Sequence, residues 1–261
     1  IGFFSDIKKL NSVSLRFFLQ IILILFFVNI IGLEIKNTRI EFIDTIISNK
    51  IANTIFVSFC LMVLVNGSNF IDGLNGLLLK YYLIIYLVIL FSFSQTPYVE
   101  TDFIISLILI LSIILLFNLF GLIYMGDSGA YLLSIFSGIY LINFSFNNQD
   151  ISPFFIILLL WYPCFELLFS IFRKFNFKQS PLEPDVKHFH QLILNFLKLR
   201  FKYKYLASNN LASFLILLYN CIIFLIGSNN IYNSEIQILL ILFSIIIYIF
   251  AYLKLYRYVS K

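Results

Sequence analysis

Residues 103–120, FIISLILILSIILLFNLF, run for eighteen positions without a charge. A stretch of that length and character is long enough to cross the hydrocarbon core of a bilayer. No water is available there to satisfy backbone N–H and C=O groups, so the segment is predicted to be helical. Reading outward, similar apolar stretches lie near 14–33, 51–66, 76–94, 129–147, 153–172, 208–227 and 235–254. The predicted fold is therefore all-α: a polytopic membrane helix bundle of about eight spans. Composition agrees. The chain is 61% hydrophobic and 12% charged, with a mean hydropathy of +0.97, whereas soluble domains hold roughly 45–50% apolar and about 25% charged residues. A water-soluble globular protein is excluded. Residues 1–261 read as a single integral membrane domain. The chain opens at Ile1 directly on a polar cluster, so a further amino-terminal part is expected ahead of it. Cys60, Cys164 and Cys221 sit in apolar stretches and read as small core residues.

Alternation of spans divides the loops between two faces. One face receives fifteen of the eighteen Lys and Arg residues; the other receives only Lys36, Arg39 and Lys50. The positive-inside rule makes the first face cytoplasmic. Lys80, near the start of the third span, is expected to snorkel toward that face. The opposite loop 34–50 alternates weakly, as a small hairpin would. No repeat with a period of 20–50 residues is present, so the inverted symmetry common in transporters is missing.

Four polar clusters interrupt the oil, and all fall on the basic face: FSDIKKL at 4–10, NGSNFIDGLNGL at 66–77, MGDSGA at 125–130 and PDVKHFH at 184–190. Charge within a membrane protein is costly and usually functional. In the second cluster Asn66, Asn69, Asp72 and Asn75 recur every third residue, which places neighbours on one helical face. That pattern fits either a ligand site or a polar turn with ordinary caps. In the third, Asp127 precedes a span; it either caps that helix or binds a metal such as magnesium, which favours one or two carboxylates together with substrate phosphates. The new helix also points its positive end at this face, where phosphate is attracted. The fourth holds both histidines, His188 and His190, among bases, and suits an anionic phosphate better than zinc. The first supplies Asp6, with Arg16 ten residues on. Glu166 reads as lying near the cytoplasmic end of its span, facing other helices. Together the clusters point to phosphoryl chemistry between a lipid and a soluble anion.

These residues resemble the polyprenyl-phosphate N-acetylhexosamine-1-phosphate transferases (glycosyl transferase family 4). Asn66–Leu77 matches the family pattern NxxNxxDGxDGL in its Asn form, Tyr124–Ala130 matches FMGDxGS, and Pro184–Gln191 matches PDxxHxHH except that Gln191 replaces the last His. The His-x-His form is more similar to the branch that initiates antigens and teichoic acids than to the peptidoglycan enzyme. The family's first motif carries paired aspartates; here Ser5 stands in the first place and Asp6 in the second.

The resemblance implies a magnesium-dependent transfer, with manganese able to substitute, of a sugar-1-phosphate from a UDP-amino sugar to a membrane polyprenyl phosphate, releasing UMP. It implies that Asp127 and Asn69 hold the metal and that Asp72 acts beside them. Asp6 would sit near the lipid phosphate as base. Asn66, Gly73, Leu74 and Asn75 would bind the nucleotide, and His188, His190 and Arg16 would contact phosphates. The implied setting is the bacterial cytoplasmic membrane, with the site facing the cytoplasm, no nucleic-acid partner, and a homodimer allowed. The competing readings are a catalytically inactive relative that binds nucleotide-sugar, favoured by Ser5, and a membrane transporter.

Overall fold

The computed structural model describes residues 1–93, 101–178, 180, 187–201 and 204–259. Among these are eleven helices: α1 (Gly2–Asp6), α2 (Val13–Ile31), α3 (Glu41–Ile47), α4 (Lys50–Ile71), α5 (Leu77–Phe93), α6 (Thr101–Leu119), α7 (Gly126–Asn147), α8 (Pro153–Asn176), α9 (Phe189–Phe201), α10 (Tyr205–Ser228) and α11 (Ser234–Val259). Seven of them, α2, α4, α6, α7, α8, α10 and α11, are long and apolar enough to cross a membrane; α5 is apolar but has 17 residues. The chain is an integral membrane helix bundle. Its ends are set by local chemistry. Ser12 accepts from the N–H of Leu15 to start α2, Asn49 accepts from those of Ile51 and Ala52 to start α4, and Pro153 opens α8.

The short helix α5 forms the centre. Tyr81, Tyr82 and Tyr86 are fully buried along it, and each hydroxyl is used: Tyr82 with Ser68 at 2.6 Å, Tyr86 with Ser137 at 2.6 Å, and Tyr81 donating to the Leu159 carbonyl at 2.9 Å. The last bond has a specific cause. Pro163 lies inside α8 and brings no N–H to the carbonyl four residues earlier, which is that of Leu159. Tyr81 supplies the missing donor, as apolar surroundings require. On its other side, the Pro163 carbonyl meets α4 at Gly67, where a Cβ would fall 2.2 Å from the oxygen. In lipid, where apolar burial gives little net drive between helices, such close backbone approach is a main source of cohesion. The outer helices α2, α6 and α11 leave long rows of Phe, Leu and Ile exposed, as a lipid-facing surface does.

Three expectations are corrected here. Loop 34–50 is not a hairpin: α3 forms within it, and Asp44 accepts from both the backbone N–H and the hydroxyl of Thr38 at 2.7 Å, which ties the loop to the helix. The second span does not stop near 66; helical hydrogen bonding continues to Ile71, so Asn66 and Asn69 are helix residues and Asp72 is the C-cap. Lys80 does not snorkel; its ammonium donates to the Ser213 hydroxyl of α10 at 2.9 Å.

Candidate active site

The first cluster folds as α1, which lies against the start of α7. A helix start leaves backbone N–H groups unpaired, and the residue preceding α7, Met125, has no capping side chain. Asp6 fills that role from 121 residues away in sequence. Its carboxylate accepts from the N–H of Asp127 at 2.9 Å and of Ser128 at 3.0 Å, and from the Ser128 hydroxyl. Partial burial opposes ionisation, but these bonds and the charge of Arg16 hold the Asp6 carboxyl below its ordinary value. The approach requires glycine at 126: φ is +59°, and a Cβ there would lie 2.9 Å from Asp6 Oδ1. Asp6 is thus engaged as a cap of α7, not free as the base expected from the motif, because its oxygens are committed to donors and its basicity is reduced.

Capping α7 leaves the Asp127 carboxylate facing the gap between α1, α2 and α4. Oδ2 accepts from the Ser5 hydroxyl at 2.6 Å and from Arg16 Nη1 at 2.5 Å, and Arg16 also donates to Ser5. Oδ1 accepts from Asn69 Nδ2 at 2.7 Å. Ser5, where the family pattern has an acid, is therefore a hydroxyl donor to Asp127. Asn69 presents its amide nitrogen to Asp127 and serves this carboxylate as a donor. Asn66 lies one turn back and faces α2, donating to Gln20 Oε1 at 3.2 Å and to the Met62 carbonyl at 2.9 Å.

Asp72 caps α4 beside this group. Burial, then the negative charge of Asp127, pushes its carboxyl up to about 7, while the N–H of Gly126 offers partial relief. A carboxyl whose ionisation is opposed by burial and by a neighbouring carboxylate is the electrostatic setting that a divalent cation relieves. Asp72 and Asp127 are the side chains here that could hold such an ion, and Asp127 would exchange the donors now on its two oxygens to do so. Among the described residues there is no group of three or more His, Cys, Asp or Glu side chains arranged for a metal.

The loop after Asp72 is gripped through its backbone. The N–H of Asn75 donates to Asn209 Oδ1 of α10 at 2.7 Å, and that of Gly76 donates to Asn118 Oδ1 of α6 at 2.5 Å. Leu74 is buried in the core, so its side chain does not line an open nucleotide pocket. At Gly73 a Cβ would meet His190 Nε2 at 2.3 Å. The second and fourth clusters are in contact at that point. His190 is fully buried and neither ring nitrogen has a partner; burial pushes it down to about 4, so it is neutral at pH 7. It is not a cationic phosphate ligand in this arrangement. His188 stacks on it at 5.6 Å and packs on Phe70 at 4.8 Å. Pro184 and Asp185 lie outside the described residues.

The predicted site residues thus form a continuous series of contacts from the histidines through Gly73 and Asp72 to Asp127, Asp6 and Arg16. Residues 1–145 match glycosyl transferase family 4. The chain belongs to that family. The match spans more than half of its 261 residues and includes the first three clusters. At the level of the family, the chain is a membrane glycosyl-phosphate transferase acting on polyprenyl phosphate. No curated protein and no solved structure was found to match.

Sequence reasoning missed Gln20, Asn118 and Asn209, which serve the site from inside apolar helices, and it left Glu166 without a partner. The signal for each was a polar side chain within a span.

Proposed function

We propose that the chain transfers a sugar-1-phosphate, of the N-acetylhexosamine class, from a UDP-sugar to a membrane polyprenyl phosphate at the cytoplasmic face of a bacterial membrane. The observation that carries this reading is the position of Asp127 beside an apolar groove. The groove has a volume of about 560 Å³ between α2, α4 and α7, and its lining includes Gln20, Val28, Val65, Ser128, Tyr131 and Ile135. An anionic head and a long hydrocarbon tail fit such a junction, with the tail along the helices and the phosphate at the polar end. The excess of basic residues on this face supports a cytoplasmic site.

In the reaction, an oxygen of the lipid phosphate attacks the phosphorus that bears the sugar. The bond from that phosphorus to the bridging oxygen breaks, and UMP leaves with that oxygen. The product is a sugar joined to the lipid through a diphosphate. Phosphoryl transfer of this kind depends on positioning and charge neutralisation more than on covalent help from the protein. Asp72 and Asp127 would hold magnesium or manganese, which would supply charge neutralisation for the UDP-sugar diphosphate. Arg16 and His188 contact phosphate oxygens. Asp6 keeps the start of α7, and hence Asp127, in place. Gly73, Asn75 and the backbone between them face the nucleotide.

The test is UMP release by the purified protein from a panel of UDP-amino sugars with polyprenyl phosphate and magnesium. Turnover is expected with at least one sugar and should be abolished in Asp127→Ala. Retained turnover in that variant would remove Asp127 from the metal site. Nucleotide binding without UMP from any donor would instead favour an inactive relative.

A further inference from the structure

Glu166 is a carboxylate deep within α8, 1% exposed. An ionisable side chain in such a place needs partners and is usually functional. Three donors converge on it. Tyr248 of α11 donates its hydroxyl to Oε2 at 2.8 Å, while Oε1 is 3.1 Å from His188 Nδ1 and 3.1 Å from the N–H of Phe189. An ionised carboxylate only accepts, so the His188 proton is fixed on Nδ1. Nε2 is then the ring nitrogen left to meet a ligand. The ring cannot easily turn away, because Phe70 packs on it and His190 stacks on it with an interplanar angle of 5°.

We propose that Glu166, braced by Tyr248, is a positioning residue for His188: it fixes the tautomer and the ring orientation with which His188 meets substrate phosphate. This rests on the transfer reaction proposed above. A purely structural role, in which Glu166 only ties the start of α9 to α8, makes different predictions.

The chain has just two histidines, so histidine-selective ¹⁵N labelling gives two rings to resolve, assigned with His188→Gln. In the intact protein the His188 ring is expected as the Nδ1–H tautomer, hydrogen-bonded through that proton, and in Glu166→Leu, which leaves no acceptor, that signature should be lost. UMP release should fall about 10–100-fold in Glu166→Gln, the loss typical of removing a charge-assisted hydrogen bond. In a His188→Gln background the same change should cause little further loss, because coupled residues are not additive. Tyr248→Phe removes only the brace, and should give a smaller loss of the same kind even if Glu166→Gln folds poorly. Equal losses with and without His188, or an unchanged ¹⁵N signature in Glu166→Leu, would overturn the proposal. If the parent protein released no UMP at all, the transferase reading would fail, while the ¹⁵N signature would still decide whether Glu166 sets the His188 tautomer.

Discussion

At Gly73 the site has no room for one more carbon. A Cβ would fall 2.3 Å from His190 Nε2, and the ring of His190 is fully buried with nowhere to retreat. Gly73→Ala is therefore expected to push the α9 histidines away from the loop that follows Asp72. Overpacking of this kind typically costs about 1–3 kcal/mol. UDP binding, followed by calorimetry in detergent, should weaken about tenfold or more, and the melting temperature should drop. Wild-type affinity in this variant would show that the glycine contact does not shape the nucleotide site. The glycine itself was visible in the sequence, but the reason for it was not. His190 stands 117 positions later, and no local pattern announces which backbone atom a distant ring will touch. The same holds for Asn118 and Asn209: their bonds to the Gly76 and Asn75 amides are tertiary, whereas the spacing of Asn66, Asn69 and Asp72 is local and could be read directly.

Among elements, the long apolar helices were legible because lipid permits almost nothing else: a charge-free run of about twenty residues has to close its own hydrogen bonds. Three short helices outside this rule, α1, α3 and α9, were missed. Helix α3 depends on Asp44 collecting Thr38, and α9 depends on Glu166 collecting Phe189 and His188. Helix pairing was not legible either, since the α4–α8 crossing is decided by an absent side chain. At Gly67 a Cβ would lie 2.2 Å from the Pro163 carbonyl oxygen and 2.7 Å from its carbon. Both are backbone atoms and cannot rotate aside. Gly67→Ala is expected to force α4 and α8 apart and to destabilise the protein by about 1–3 kcal/mol. Because α4 carries Asn69 and α8 carries Glu166, UMP release should fall in parallel with the melting temperature. A variant that melts like the parent would show that the crossing has slack.

Across the whole molecule, the polar site and the apolar groove make one continuous feature, and this allows a test based on length. Asp127 and Ile135 both lie on α7, eight residues apart, which along a helix is about 12 Å. Asp127 marks the polar end, and Ile135 lines the groove beyond it. If the acceptor tail runs between α2, α4 and α7, a chain that reaches past about 12 Å must pass Ile135, and a shorter one need not. Ile135→Trp is therefore expected to raise the KM for a long-chain polyprenyl phosphate about tenfold, the scale of a lost apolar contact combined with a filled channel. The same variant should turn over a short-chain acceptor, whose tail ends before that position, at the parental rate, and its KM for the UDP-sugar should stay unchanged. A loss that is equal for long and short acceptors would mean that the tryptophan disturbs α7 and Asp127 directly. No loss for either would mean that the tail leaves the site by another route and that the groove belongs to some other apolar partner.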